Sequence, residues 1–260
     1  MIKKDLRKNV IISSTKDTNL FGLLQVPFVS KTPPLVICFH GLGSHKYGSK
    51  QYLVHLSKLL SNIGIASLRV DFRGSGDSDG ELSTSSLRDL LDDALKIIHT
   101  SLNLVEINTE KIGLFGSSLG GSLALLSLET YGSLIKALAL WAPVISGKIW
   151  LNDFLKNPKS KKNELNSHNI SPSFQEQFLN MNTIPIIKNI PSHLKILHMH
   201  GMQDDIVSIN HQKMFLKVIN KYKTSLTIKS YENASHSLGT FSKTSKILNE
   251  ITTWFSNQLT

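Results

Sequence analysis

The run Lys111-Ile-Gly-Leu-Phe-Gly-Ser-Ser-Leu-Gly-Gly121 constrains this chain more than any other segment. Its first half reads as a short buried strand and its second half opens a helix, from Leu119 to about Tyr131, with glycines 116 and 120 bracketing Ser118. That G-x-S-x-G spacing is what a sharp strand-to-helix turn requires, because a Cβ beside the raised serine would collide with neighbouring backbone. Ser117 is adjacent but has the wrong spacing. The positive end of the following helix lies where an oxyanion would form. Ordinary glycine and serine usage places the bare pattern by chance in about one chain in ten of this size. The strand before it and the helix after it are what give it chemical meaning.

The rest of the chain alternates in the same way. Val10 to Ser13 and Leu20 to Val26 read as an opening hairpin, followed by buried strands at Leu35 to Phe39 and Ile65 to Val70 with a helix at Tyr52 to Asn62 between them. Leu87, Leu90, Leu91, Ala94 and Ile98 recur at helical spacing behind a Ser86/Asp89 capping pair. Further strands are expected at Ile135 to Trp141, Lys195 to His200 and Ser225 to Tyr231, with helices at about Asn210 to Lys221 and Thr244 to Phe255. Continuous apolar strands alternating with helices predict a mostly parallel central sheet with helices on both faces. Residues 1–260 then form a single α/β domain, long enough for a full core and without a dividing linker. Residues 145–192 are polar, carry one expected helix at Pro172 to Met181, and read as a short inserted lid. Trp150, Phe154, Phe174, Phe178 and Leu179 are its apolar residues, and Trp150, Phe174 and Phe178 are taken as candidate substrate-binding residues over Ser118.

The 29 basic and 19 acidic residues give a net charge of +10, but the lysines are scattered from Lys3 to Lys246, with one local cluster at Lys156, Lys159, Lys161 and Lys162. No basic stripe interleaved with aromatics is present, so no nucleic-acid partner is expected. The single cysteine, Cys38, sits in the apolar run 35–39 and reads as a core residue, which fits a reducing, cytoplasmic location. The basic N-terminus lacks a long apolar stretch or cleavage site, and no segment reaches transmembrane length.

A serine hydroxyl is a weak nucleophile and needs a base, which in turn needs an orienting carboxylate. Two later loops supply both: Asp204 and Asp205 follow the strand ending at His200, and His236 follows the next strand. All three loops lie at the carboxyl ends of parallel strands, where open sheets place their sites. The amide of Leu119 supplies one oxyanion donor, and the His40-Gly-Leu-Gly43 turn supplies the second, assigned to the Leu42 amide. His40 competes as a base but precedes a glycine turn and reads as a brace for that loop. His198 and His200 have no carboxylate or cysteine partner at metal-site spacing and read as core histidines. Asp71 to Gly80 lacks both the third glycine of a dinucleotide loop and the lysine of a phosphate loop, so no cofactor is expected.

In combination these motifs resemble the α/β-hydrolase serine esterases, most closely the cinnamoyl (feruloyl) esterase-like and serine-aminopeptidase-like branch. The resemblance runs through His-Gly-Leu-Gly at 40–43, Arg69 to Gly80, Gly-Ser-Ser-Leu-Gly-Gly at 116–121, His-Gly-Met-Gln-Asp at 200–204 and Ser-His at 235–236. It implies a Ser118, Asp204 and His236 triad, with the acid at the fifth residue of the His-Gly-x-x-Asp loop and therefore at Asp204 rather than Asp205. Ser75 and Ser208 depart from the residues many relatives carry, histidine and proline. The activity implied is a serine carboxylesterase acting on a small-molecule acyl or aryl ester, with an acyltransferase or small peptidase using the same triad as alternatives. A non-catalytic binding module is a third reading, which would need none of the three residues.

Overall fold

A computed structural model of the chain describes residues 5–15, 17–28, 32–156, 169–222, 224–237 and 241–260. The side chain of Phe154 and the lysines at 159, 161 and 162 lie outside the described residues.

The apolar runs become an eight-stranded sheet. Its strands are β1 (Leu6–Thr15), β2 (Thr18–Val26), β3 (Leu35–Phe39), β4 (Ala66–Val70), β5 (Ile112–Ser117), β6 (Ile135–Trp141), β7 (Lys195–Gly201) and β8 (Ser225–Tyr231), in the spatial order β1-β2-β4-β3-β5-β6-β7-β8. β2 pairs antiparallel with both β1 and β4, and every other pairing is parallel. The helices are α1 (Tyr52–Asn62), α2 (Leu87–Ser101), α3 (Leu119–Tyr131), α4 (Gly147–Lys156), α5 (Pro172–Asn180), α6 (Ile184–Lys188), α7 (Asn210–Ile219) and α8 (Phe241–Leu259).

Side chains alternate across each strand, and that alternation divides the core in two. Leu35, Ile37 and Phe39 face α2 and α3, whereas Val36 and Cys38 face α1 and α8. Strands covered on both sides have no polar face, which is why β3, at the centre of the sheet, is apolar throughout. The expected fold class therefore holds. The start of α2 is fixed as its sequence predicts: Asp89 N donates to Ser86 Oγ at 3.2 Å and Ser86 N donates to Asp89 Oδ2 at 2.8 Å.

The insert differs from its reading. Besides α5, which begins where Ser171 Oγ accepts from Phe174 N at 2.9 Å, it contains α4 and α6. α5 packs on α2 and α4, while α6 packs on α3 and α7. Among the described residues no helix is long and apolar enough to cross a membrane.

Candidate active site

β5 delivers Ser118 in a conformation that few side-chain-bearing residues adopt, with φ 53° and ψ −124°. Such a residue costs of order 1–3 kcal/mol and persists only where its surroundings fix it. Here Ser118 N donates to Trp141 O at 2.9 Å, and Ser118 O accepts from Gly121 N at 3.0 Å. The flanking glycines are required by contact. A Cβ on Gly116 would stand 2.5 Å from Gly120 O, and one on Gly120 would strike the carbonyls of Phe39 and His40.

The two adjacent serines have different environments. Ser117 is buried, with its Oγ 2.6 Å from the Tyr52 hydroxyl, and burial raises the Tyr52 phenol above its ordinary range. Ser118 is half-buried, and both serines line a cavity of about 480 Å³ together with Gly41, Leu42, Tyr52, Trp141 and His236.

Asp204 and His236 meet across the ends of β7 and β8. His236 Nδ1 lies 2.7 Å from Asp204 Oδ2, and the carboxylate's other oxygen accepts from the amides of Ile206 (3.0 Å) and Val207 (2.8 Å). An acceptor-only carboxylate places the imidazole proton on Nδ1, which leaves Nε2 as the basic nitrogen. Trp141 Nε1 donates to His236 O at 2.8 Å and anchors the loop. A Cβ on Gly201 would strike the Ala234 carbonyl, so the two loops approach each other closely at that point. Asp205 also lines the cavity but makes no such bond to His236.

His40, His198 and His200 have structural partners. His40 Nδ1–H donates to Gly41 O at 2.8 Å, and its Nε2 accepts from Phe72 N at 3.1 Å. Burial pushes its pKa down to about 4, so the ring is a neutral brace for the Gly41–Gly43 turn. His200 Nε2–H donates to Val207 O at 2.7 Å and closes the acid loop. His198 packs on Phe215, with ring centroids 4.7 Å apart, and burial lowers the pKa of both His198 and His200.

The Gly41–Gly43 turn approaches the serine closely, since a Cβ on Gly41 would lie 3.1 Å from Ser118 Cβ. Leu42 is on this turn, and Leu119 N–H is among the donors at the start of α3 that lack intrahelical partners. Lys46, three residues beyond this turn, is held by the end of β4 and the residue that follows it. Asp71 takes Lys46 N at 2.5 Å and Lys46 Nζ at 2.5 Å, while Arg69 Nη1 donates to Lys46 O at 2.9 Å. Burial alone would lower the Lys46 ammonium, but bonds to Asp71 and Asp77 leave its pKa raised. Sequence reading missed this clamp and the Tyr52–Ser117 pair. The Asp71–Gly80 motif was the available signal for the first, and the second had none, since a tyrosine opening an amphipathic helix reads only as apolar.

The structure places the three candidate lid residues elsewhere. Trp150, Phe174 and Phe178 are 5%, 0% and 4% exposed, Trp150 meets Phe178 edge-on at 5.4 Å, and none of the three lines the cavity at Ser118. Their rings fill the space among α2, α4 and α5, because that is where the insert's apolar surface escapes water.

Residues 30–165, just over half the chain, match the serine aminopeptidase, S33 family. The chain belongs to that family. The match spans Ser118 and the Gly41–Gly43 turn, while Asp204 and His236 lie beyond it. This S33-family chain is 26% identical over 215 residues to dipeptidyl peptidase family member 2 of Caenorhabditis elegans, covering 80% of its own length but 25% of that relative's. Among solved structures it resembles ferulic-acid-bound Est1E from Butyrivibrio proteoclasticus, at TM-score 0.77 and 20% identity, over 94% of this chain and 98% of that one. It also resembles the acylaminoacyl peptidase of Pyrococcus horikoshii, at TM-score 0.77 and 19% identity, over 99% of this chain and 42% of that one. The S33 chain thus has the α/β-hydrolase fold and is a member of a hydrolase family.

Proposed function

We propose that this protein is a serine carboxylesterase that hydrolyses small acyl or aryl esters through an acyl-enzyme on Ser118. The observation that carries the reading is the 2.7 Å bond from His236 to Asp204, on the wall of the same cavity that Ser118 lines. In the proposed reaction His236 Nε2 takes the Ser118 proton as Oγ attacks the ester carbonyl, and the amides of Leu42 and Leu119 hold the developing oxyanion. The bond to the alcohol breaks as His236 returns that proton to the leaving oxygen. Water then attacks the acyl-enzyme, again with His236 as base, and frees the acid. Asp204 keeps the proton on Nδ1 throughout.

The reading includes residues 1–260 as a single α/β-hydrolase domain, and a reducing, cytoplasmic compartment. Burial pushes the Cys38 thiol up to about 12, which leaves it inert beside Ser118 as a nucleophile.

A small peptidase is the second reading, favoured by the family description and by the two peptidase relatives. Both readings use one triad, so the leaving group distinguishes them. The test compares kcat/KM for a p-nitrophenyl ester and the p-nitroanilide of the same acyl group. An esterase prefers the ester by orders of magnitude beyond their intrinsic difference in reactivity, and comparable enhancement of both would establish the peptidase. Added alcohol acceptors, if they divert product from acid to new ester, would identify an acyltransferase.

A further inference from the structure

Asp205 is the residue of the acid loop that the proposed chemistry leaves unused. It lines the cavity at Ser118, is exposed, and has no hydrogen-bond or ion-pair partner among the described residues. The other lining residues are glycines, serines, leucine, isoleucine, tyrosine, tryptophan and two histidines, so among the described residues Asp205 is the one Asp, Glu, Lys or Arg in the wall.

The atom that leaves must receive its proton from His236, so the leaving group lies on the His236 side of Ser118. Asp205 directly follows Asp204, the partner of His236, and lines the cavity with His236, Ser235 and Ser237.

We propose that Asp205 makes the leaving-group side of the cavity selective for cationic leaving groups, an ammonium-bearing alcohol or amine, over neutral groups of the same shape. This rests on the reading of Ser118 as nucleophile. The chain's net charge of +10 repels cations at long range, so any preference for them has to be local. A concave wall focuses the field of a single carboxylate onto the space in front of it. Because that carboxylate is solvated, its effect is modest and is screened beyond a Debye length of about 8–10 Å at 0.1–0.15 M salt.

The test uses two esters of matched shape, 2-(trimethylammonio)ethyl acetate and its neutral isostere 3,3-dimethylbutyl acetate. In low salt the kcat/KM ratio should favour the cationic ester by roughly 1.5- to fivefold, the range expected of an exposed charge pair. The ratio should fall toward one at about 0.5 M NaCl, and also in Asp205→Asn, while Asp205→Glu retains part of it. A wild-type ratio of one or below in low salt, or a ratio unchanged by Asp205→Asn in a variant with native circular dichroism, would overturn the proposal. Absence of turnover of both esters together with no fluorophosphonate adduct on Ser118 would overturn it too, and with it the esterase reading. An adduct on Ser118 with a ratio of one overturns only the Asp205 assignment.

Discussion

The Tyr52 hydroxyl lies 2.6 Å from Ser117 Oγ, one residue before the serine that occupies the strained turn. Both serines line the cavity, but Ser117 Oγ is held by Tyr52, which is why Ser118 is the hydroxyl proposed as nucleophile. Ser118→Ala should lower kcat by about 10⁶-fold, as loss of a triad nucleophile does elsewhere. Ser117→Ala instead orphans the Tyr52 hydroxyl, and its main effect should be a loss of about 1–3 kcal/mol in urea unfolding. Ester turnover and denaturation on both variants check the pair.

Asp204→Asn should reduce kcat by about 10⁴-fold, because the amide side chain favours the wrong tautomer of His236. The position of the ring should be retained, since Trp141 still anchors the His236 carbonyl. Steady-state kinetics on the folded variant measure this, and a loss of less than tenfold would place the acid elsewhere.

The clamp behind the Gly41–Gly43 turn gives a third prediction. Asp71 is fully buried and receives two bonds from Lys46, so Asp71→Ala leaves an ammonium half-compensated by Asp77. Breaking one partner of a buried pair costs about 3–5 kcal/mol. Thermal unfolding should show that loss, and residual kcat at low temperature should fall as the turn loosens. Unchanged stability would mean that Asp71 is not the anchor of this turn.

Acid should destabilise the protein through its buried histidines. The His40 pKa is about 4 in the folded chain against about 6.5 for a free side chain, so between those values the unfolded chain binds more protons. The contribution to stability is complete above pH 6.5 and is lost as pH falls toward 4, in total about 3 kcal/mol. His198 and His200, also lowered by burial, act in the same direction. Urea unfolding at pH 7, 5.5 and 4.5 should show this slope, flattened in His40→Gln.

The parallel strands, α1 and the cap of α2 were legible because each depends on local pattern: an unbroken apolar run, a 3.6-residue period, or a serine three residues before an aspartate. The Asp204–His236 pairing was legible for the same reason, each partner lying in a short motif at the end of a strand. The fate of Trp150, Phe174 and Phe178 was not. An apolar residue in a polar insert signals burial but not the surface against which it is buried, and here the choice fell to α2 and its neighbours rather than to the cavity. α4 was missed because glycine opens it and Lys148, Asn152 and Asp153 dilute its apolar positions. Tyr52 illustrates the same limit, since its hydroxyl partner is 65 residues away in sequence.

Phe174 tests that revised placement. Phe174→Ala should cost about 3–5 kcal/mol of stability, as truncation of a buried aromatic does. The relative kcat/KM values for acetyl, butyryl, octanoyl and aryl esters should be unaltered below the melting temperature. A changed ranking in a folded variant would return the ring to the substrate pocket.

The most direct test of the central claim is intact-mass spectrometry of the protein after reaction with a fluorophosphonate, followed by peptide mapping. A single adduct on Ser118, present in Ser117→Ala and absent from Ser118→Ala, is the result the account predicts. An adduct on Ser117 or any other residue, or none on the folded protein, would contradict it.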